Sequence, residues 1–316
     1  MACKRAVSIS LGSASRDFRY EVEAGDQRLI LQRIGTDGNL KSCSYLLRHF
    51  DGNVHAIGLG GINLAYRSGS FTYLLPEAQW LASLARYTPV VDGAGAKRYW
   101  ETGIPALLAR EEGWEWKGQK VLILSALDRW ELAETLLSLG AELRIADPLL
   151  ALKLPLAFRN LSRFQLLARI TLPFLSLLPI KTVYPQTTQT TRRPFQGIID
   201  GLKDWASCIV GDHRFLACLT PRFRGQRIIT SGVGSELAAY YLSRGADKVV
   251  SMNHIAGGGP LPANLWEAAL VAASDRSLKD LSLPSLTSHT HQLGLGAAVW
   301  RLEEGRVVMS LLSCTG

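Results

Sequence analysis

The stretch KVLILSALDRWELAETLLSLGAELRIAD, from Lys120 to Asp147, constrains the fold more than any other part of the chain. GQKVLIL has the apolar run of a buried strand. From about Trp130 to Leu139, Leu132, Leu136 and Leu139 fall near Ala133 and Leu137, a broad apolar side suited to lying on a sheet. Gly140 stops that helix, and AELRIAD is a second strand ending in an acid. Strand, turn, helix and strand form a βαβ unit, the opening of a dinucleotide-binding fold, yet the turn reads SALDR and holds no glycine.

The pattern recurs. GQRIITSGVGSELAAYYLSRGADKVVSMN again gives strand, helix and strand, and the spacings from Glu131 to Gly140 and from Glu236 to Gly245 are both nine residues. Two similar βαβ halves of one doubly wound parallel sheet are expected. ASCIVGD adds another buried strand, and AAVWRLEEGRVVMSLL alternates around an EEG turn like a β-hairpin. Nearer the N-terminus, RAVSIS, FRYEVEA and QRLILQRI read as strands. LKSCSYLLRHF reads as a helix with Leu40, Tyr45, Leu46 and Phe50 on its buried side. VHAIGLGG is a strand running into a glycine turn, FTYLLPEAQWLASLARYTP a helix, and TPVVDGAGAKRYWETGIPALLAREEG a short strand, a glycine turn and a helix. The fold class is therefore α/β. An N-terminal α/β domain is expected over 1–116. A Rossmann-like domain over 117–316 holds an apolar basic insertion at about 149–196, and a crevice lies between the two.

Charged residues at 20% and hydrophobic ones at 47% of 316 residues fit an ordinary soluble globular protein. The five cysteines are odd in number, scattered and without a CxxC pair, and MACKRAVSISLGS passes quickly into a polar turn. Free thiols in a reducing cytoplasm are the expectation. Cys208 and Cys218 flank His213 at equal spacing, but without a second ligand pair no metal is expected. The net charge is +8, and seven of those charges are Lys153, Arg159, Arg163, Arg169, Lys181, Arg192 and Arg193, in a segment with no acidic residue between Asp147 and Asp200. Because the excess is local, no nucleic-acid partner is expected. The longest uncharged run there, Ile170 to Ile180, has 11 residues, too short to span a bilayer. This leucine-rich segment either packs on the sheet as a lid, with TTQTTRR an exposed loop, or lies on an anionic membrane surface through residues 149–193. A homo-oligomer is the expected assembly.

Two turns are candidates for phosphate. In the first, side chains at Ser125, Ala126, Leu127, Asp128 and Arg129 crowd the phosphate path, and Asp128 places a negative charge there. Ser125 or Asp128 equally suits a helix N-cap. Asp147 stands about 20 residues on, where a ribose-binding acid would be, and Asp147-Pro148 also reads as a turn that ends a strand. In the second unit, Gly232 and Gly234 fit the pattern but Leu237 takes the third place, and the following strand ends at Asn253-His254.

VVDGAGAKRYWETGIPALLAREEGWEWKGQKVLIL resembles the join between the catalytic and cofactor domains of the shikimate and quinate dehydrogenase family. SCIVGD and RIITSGVGSELAAYYLSRGADKVVSMNHIAGGGPLPANLWEAALVA resemble that family's third dinucleotide-domain strand and its closing pattern. The resemblance covers most of residues 50–272 and implies a nicotinamide cofactor, NAD or NADP, acting on a small hydroxy-acid substrate. It places Asp92 at the catalytic aspartate, Asn264 near the substrate-binding glutamine, and Gly211-Asp212 beside the nicotinamide. Where the family has an Asn-Thr-Pro turn and a lysine, this chain has GGINLAYRSGS. Asn63 and Arg67 are then the substrate-facing candidates and Lys97 the substitute lysine. Ser125, Asp128 and Asp147 are the remaining cofactor candidates. Ser13, Arg16, Asp17, Asp37 and His254 also sit in glycine-rich turns. His254, Asp212, Asp147 and Asp92 could converge beyond the strands' carboxyl ends, with His254 toward substrate. The alternative is a Rossmann-derived protein that binds no dinucleotide and acts at a membrane surface or on an apolar ligand.

Overall fold

The structure, a computed structural model, describes residues 2–24, 27–180, 195–276 and 278–312. In the first sheet β1 (Ala2–Ser10) runs parallel to both β3 (Gln27–Gly35) and β4 (Ala56–Gly60), while β2 (Phe18–Ala24) folds back antiparallel on β3. β7 (Val90–Val91) extends β4, so the order is β2-β3-β1-β4-β7. β5 (Ala65–Ser68) and β6 (Phe71–Leu74) form a separate hairpin. AIGLG of β4 is buried throughout because both faces of the sheet are covered. On one face Val7, Ile9 and Ile57 pack with Leu47 and Leu81, from α1 (Leu40–Phe50) and α2 (Pro76–Ala82).

The second sheet contains β8 (Lys120–Ile123), β9 (Glu142–Ile145), β10 (Cys208–Val210), β11 (Arg227–Thr230) and β12 (Lys248–Ile255), all parallel. β13 (Leu295–Glu303) and β14 (Arg306–Leu312) continue it antiparallel, giving the order β14-β13-β12-β11-β10-β8-β9. The two expected βαβ halves are present. α4 (Trp130–Ser138) links the neighbours β8 and β9, and a helix over Ser235–Ser243 links the neighbours β11 and β12. The parallel strands thus run second, first, third, fourth, fifth, and the direction of winding reverses between β8 and β10. Ligands of doubly wound sheets bind at such a reversal, outside the carboxyl ends of the strands.

Between the sheets the chain winds through a π-helical turn (Ala96–Trp100), a 3-10 turn (Glu101–Gly103) and α3 (Ile104–Glu112). The helix Ala263–Ser274 follows β12 in sequence but lies on the first sheet, against β1, β3 and β4. Its Leu265, Trp266 and Ala269 share one core with Ala6, Leu31 and Ala56 of that sheet and with Val121 and Ile229 of the second.

After β9, the short helix α5 (Asp147–Leu150) leads to one antiparallel bridge between Phe158 and Ile145 at the sheet edge. α6 (Leu161–Leu175) follows, with Asn160 accepting from the backbone N–H of Ser162 and Arg163 as its N-cap. Its Phe164 stacks on Trp130 of α4, and Gln165 donates to the Ser68 carbonyl of the hairpin at 3.0 Å. Lys181, Arg192, Arg193, the TTQTTRR stretch and Cys314 lie outside the described residues.

Three local expectations differ from the structure. Tyr45 is 66% exposed, while Cys43, Ser44, Leu47 and Phe50 form the buried side of α1. Two residues past Cys43 turns a side chain to the far face of a helix, where Tyr45 stacks on His49. FTYL is a strand, and the helix begins at Pro76, which suits a first helical position because its missing N–H would have no partner there. Leu137 and Leu139 are more than a third exposed, so α4 buries a narrower side through Trp130, Leu132, Ala133 and Leu136.

Candidate functional site

At the reversal point, the turn after β8 would present backbone N–H groups to a phosphate. Here those groups are already taken. The Asp147 carboxylate accepts from Ala126 N–H at 2.7 Å and from Leu127 N–H at 2.8 Å. The acid placed where a ribose would be read is turned inward on the loop. Burial pushes its carboxyl up to about 7 against the pull of these two donors. Ser125 is buried, with no hydrogen-bond partner for its Oγ among the described residues.

The rest of the turn is locked into a buried polar network. Asp128 accepts from Lys97 Nζ at 2.6 Å, from Asn63 Nδ2 at 2.8 Å and from Arg129 Nη1 at 2.9 Å. Burial works to raise the Asp128 carboxyl, but Lys97 and Arg129 outweigh it and hold it at about 2. The Arg129 guanidinium, fully buried, also donates to Glu101 Oε2 at 2.8 Å and to Ser231 Oγ at 3.0 Å. Glu101 in turn accepts from Asn253 Nδ2 at 2.9 Å. Residues from the turns after β4 and β8, from the winding segment, and from the ends of β11 and β12 are thereby joined. A pyrophosphate entering this turn would meet the Asp128 charge and would have to displace Asp147 from both amides. The residues present do not fit that group.

A second cluster joins the loop after β1 to the ends of β10 and β11. Arg16, on the loop after β1, donates to His213 Nε2 across the interface. Arginine can only donate, so Nε2 accepts and the ring proton sits on Nδ1, which faces Asp212 at 3.4 Å. Burial lowers the His213 pKa, opposed by the Asp212 charge. Arg33 of β3 donates to the Ser13 carbonyl and to Asp17, while its Nη2 is buried without a partner among the described residues. A methyl group added at Gly12 would stand 2.9 Å from Arg16 Nη2 and 3.0 Å from Arg33 Nη2. Two guanidinium groups therefore converge on this glycine. Burial lowers the pKa of both, and Arg16 lowers that of Arg33 further.

Asp92 accepts from the backbone N–H of Leu64 and Ala94. Glu267, buried on the helix that returns to the first sheet, accepts from Gly95 N–H at 3.0 Å. Its carboxyl is pushed up to about 7 by burial and then by the Asp92 charge. Lys97 sits nearby, with its Nζ 3.3 Å from Asn63 Oδ1. Asp92, Lys97, Asn63 and Asp128 thus come together. The other expected residues are held by contacts of their own. Asn264 is buried against β1 and β4 and donates to Ser8 Oγ at 2.6 Å. His254 is buried beside Trp300. Arg67 is exposed on the β5–β6 hairpin. Gly211 packs on Leu124, and Asp212 caps the short helix His213–Leu216 through Arg214 N–H. Among the described residues no group of three His, Cys, Asp or Glu is arranged to hold a metal ion. Glu101 and Glu267 were not legible as site residues, and Arg129 was legible only as a side chain crowding the phosphate path. The available signals were an arginine directly after an acid in the turn, and one acid inside the otherwise apolar ANLWEAALVAAS.

The strand order defines an α/β protein whose second sheet is Rossmann-like, a fold that oxidoreductases share with many other proteins. The chain belongs to the family described as a domain of unknown function (DUF8754), which matches residues 95–302, and residues 5–92 match a second domain of unknown function (DUF8753). The comparison with curated proteins gave no match. Among solved structures, L-tryptophan dehydrogenase from Nostoc punctiforme is similar at 10% identity and a TM-score of 0.36, over 92% of this chain and 79% of that one. The bifunctional methylenetetrahydrofolate dehydrogenase/cyclohydrolase of Campylobacter jejuni is similar at 11% identity and a TM-score of 0.32, over 87% and 89%. A substrate-binding protein of a sugar ABC transport system from Bordetella parapertussis 12822 is similar at 14% identity and a TM-score of 0.34, over 88% and 81%. None of these likenesses bears on activity, and the fold class stands on the strand order.

Proposed function

We propose that this chain is a Rossmann-derived protein that binds a small anionic molecule in the crevice between its two sheets, without gripping a dinucleotide at the turn after β8. The observation that carries the reading is the Asp147 carboxylate, which occupies the Ala126 and Leu127 amides that a pyrophosphate would need. The anionic character of the ligand is inferred from the convergence of Arg16 and Arg33 on Gly12, with Arg33 Nη2 unpartnered among the described residues. A carboxylate or phosphate oxygen there would relieve the repulsion between the two guanidinium groups and supply the missing acceptor.

Titration with NADH, NADPH, inorganic phosphate and citrate, followed by nucleotide fluorescence and thermal shift, tests this. The expected result is no saturable nucleotide binding, and stabilisation by phosphate or citrate that is lost in Arg16→Gln. Micromolar binding of either nucleotide would overturn it.

A second reading is favoured by Lys97. Its amino group reaches Asn63 on the turn after β4, where the shikimate and quinate dehydrogenases carry their lysine. On that reading the protein is an oxidoreductase of that type, with Asp92 and Lys97 handling the proton of a small hydroxy-acid substrate and NAD or NADP held elsewhere than on the β8 turn. Nucleotide binding that survives Asp147→Ala, together with hydroxy-acid oxidation lost in Lys97→Met, would select it.

A further inference from the structure

α6 has two apolar sides. Leu161, Phe164, Ala168 and Leu172 are buried, and Phe164 packs on α4. On the opposite side Leu166, Ile170 and Phe174 follow one another at single-turn spacing and are 59%, 60% and 72% exposed, and Leu177 continues the row at 72%. Side chains four apart are neighbours on a helix surface, so these form a continuous strip rather than scattered exposed residues. A lone exposed leucine needs no explanation, whereas a contiguous strip marks an interaction surface.

The charges beside the strip have one sign. Arg163 and Arg169 are exposed on the same helix, and the Arg169 guanidinium lies 4.2 Å over the Phe71 ring. No acidic residue occurs between Asp147 and Asp200, against seven basic ones. Glu77 of α2, which meets the end of this segment, accepts from Ile180 N–H at 2.7 Å. A second copy of the chain would bring one cationic rim against another. A bilayer carrying anionic lipid offers the opposite charge at the depth of the apolar strip.

We infer that the outer face of α6 docks this protein on an anionic membrane surface. Leu166, Ile170, Phe174 and Leu177 enter the boundary between headgroups and acyl chains, and Arg163 and Arg169 contact the headgroups. The attachment is peripheral, because no described helix is long and apolar enough to cross a membrane. It does not depend on what the crevice binds.

Flotation of the full chain with vesicles tests this, comparing equal parts phosphatidylcholine and phosphatidylserine with phosphatidylcholine alone. The protein is expected to float with the mixed vesicles only. Binding should fall about tenfold on raising salt from about 0.1 M to about 1 M, where the screening length shrinks to about 3 Å. Ile170→Gln/Phe174→Gln should abolish flotation without changing the melting temperature, since both side chains already face solvent. Arg163→Gln/Arg169→Gln should weaken it roughly thirtyfold. Failure of the full chain to float with the mixed vesicles would overturn the inference. So would a dimer in light scattering that Ile170→Gln/Phe174→Gln converts to monomer while vesicle binding is absent, since a second copy would then cover the strip.

Discussion

Asp147→Asn separates charge from shape at the turn after β8. The Asp147 and Glu267 carboxyls both stand at about 7 in the folded chain, against about 3.9 and 4.3 in an unfolded one. The native state therefore keeps protons that the unfolded state has already lost. The stability from these two groups is fully present below about pH 4 and is lost as pH rises toward 7. Asp147→Asn removes one of them, so the fall in stability across that window should flatten by up to about 1.4 kcal/mol per pH unit. Urea unfolding at a series of pH values reads this, and an unchanged slope would mean that Asp147 is ionised in the native state. Arg129→Met addresses the neighbouring network. It leaves Glu101 without its counter-charge and Asp128 with Lys97 alone, an expected loss of about 3–5 kcal/mol. Glu101→Gln/Arg129→Met should cost less than the sum of the two single changes, because the charge stranded by each is then gone. Additive losses in urea unfolding would show that the pair is not coupled. The sequence displayed Asp128 and Asp147 as polar residues in a suggestive turn. It could not display the network around the neighbouring Arg129, since Glu101 lies 28 residues from Arg129 and 152 from Asn253, and folding alone joins them.

α6 lies in the segment whose sequence left packing on the sheet and lying on a membrane surface both open, and its pattern does not show which side it buries. Leucines on both sides of LSRFQLLARITLPFL give no single apolar face, so periodicity cannot say which side is covered. The structure settles it through the stacking of Phe164 on Trp130 and its contact with Phe158, with ring centroids 6.0 Å and 5.8 Å apart. Phe164→Ala should then destabilise the protein by about 3–5 kcal/mol. Phe174→Gln, on the opposite side, should stay within about 0.5 kcal/mol of the parent. Similar losses from the two in denaturant unfolding would mean that both sides of the helix are covered. The same limit applied to FTYLLPEAQWLASLARYTP, where apolar residues at helical spacing hid a strand. Pro76 marked the boundary, since nothing before it in that run could continue the helix through it.

At the scale of the molecule, the βαβ repeats and the α/β class were readable because strand, helix and glycine recur at fixed spacing in the sequence. The path of the helix Ala263–Ser274 was not. Ten of its twelve residues are buried, and a helix apolar nearly all round announces burial without naming its neighbours. It returns to the first sheet, where glycines let it approach closely. A methyl group at Gly58 would lie 2.6 Å from the Asn264 carbonyl oxygen, and one at Gly93, whose φ is +89°, would lie 2.7 Å from the Asn264 nitrogen. Asn264 then reaches Ser8, and Trp266 stacks on Trp100, whose indole N–H donates to the Met252 carbonyl of β12 at 2.7 Å. One helix therefore ties the first sheet to the second through a single apolar core. The two sheets should melt together, as one calorimetric transition, although the sequence divides into two regions. Gly58→Ala would push backbone against backbone and should cost about 1–3 kcal/mol. The single transition should move to lower temperature without splitting, because neither sheet keeps its cover if the helix shifts. A variant that melts in two separate steps, one of them at the parental temperature, would show instead that the second sheet stands without the first.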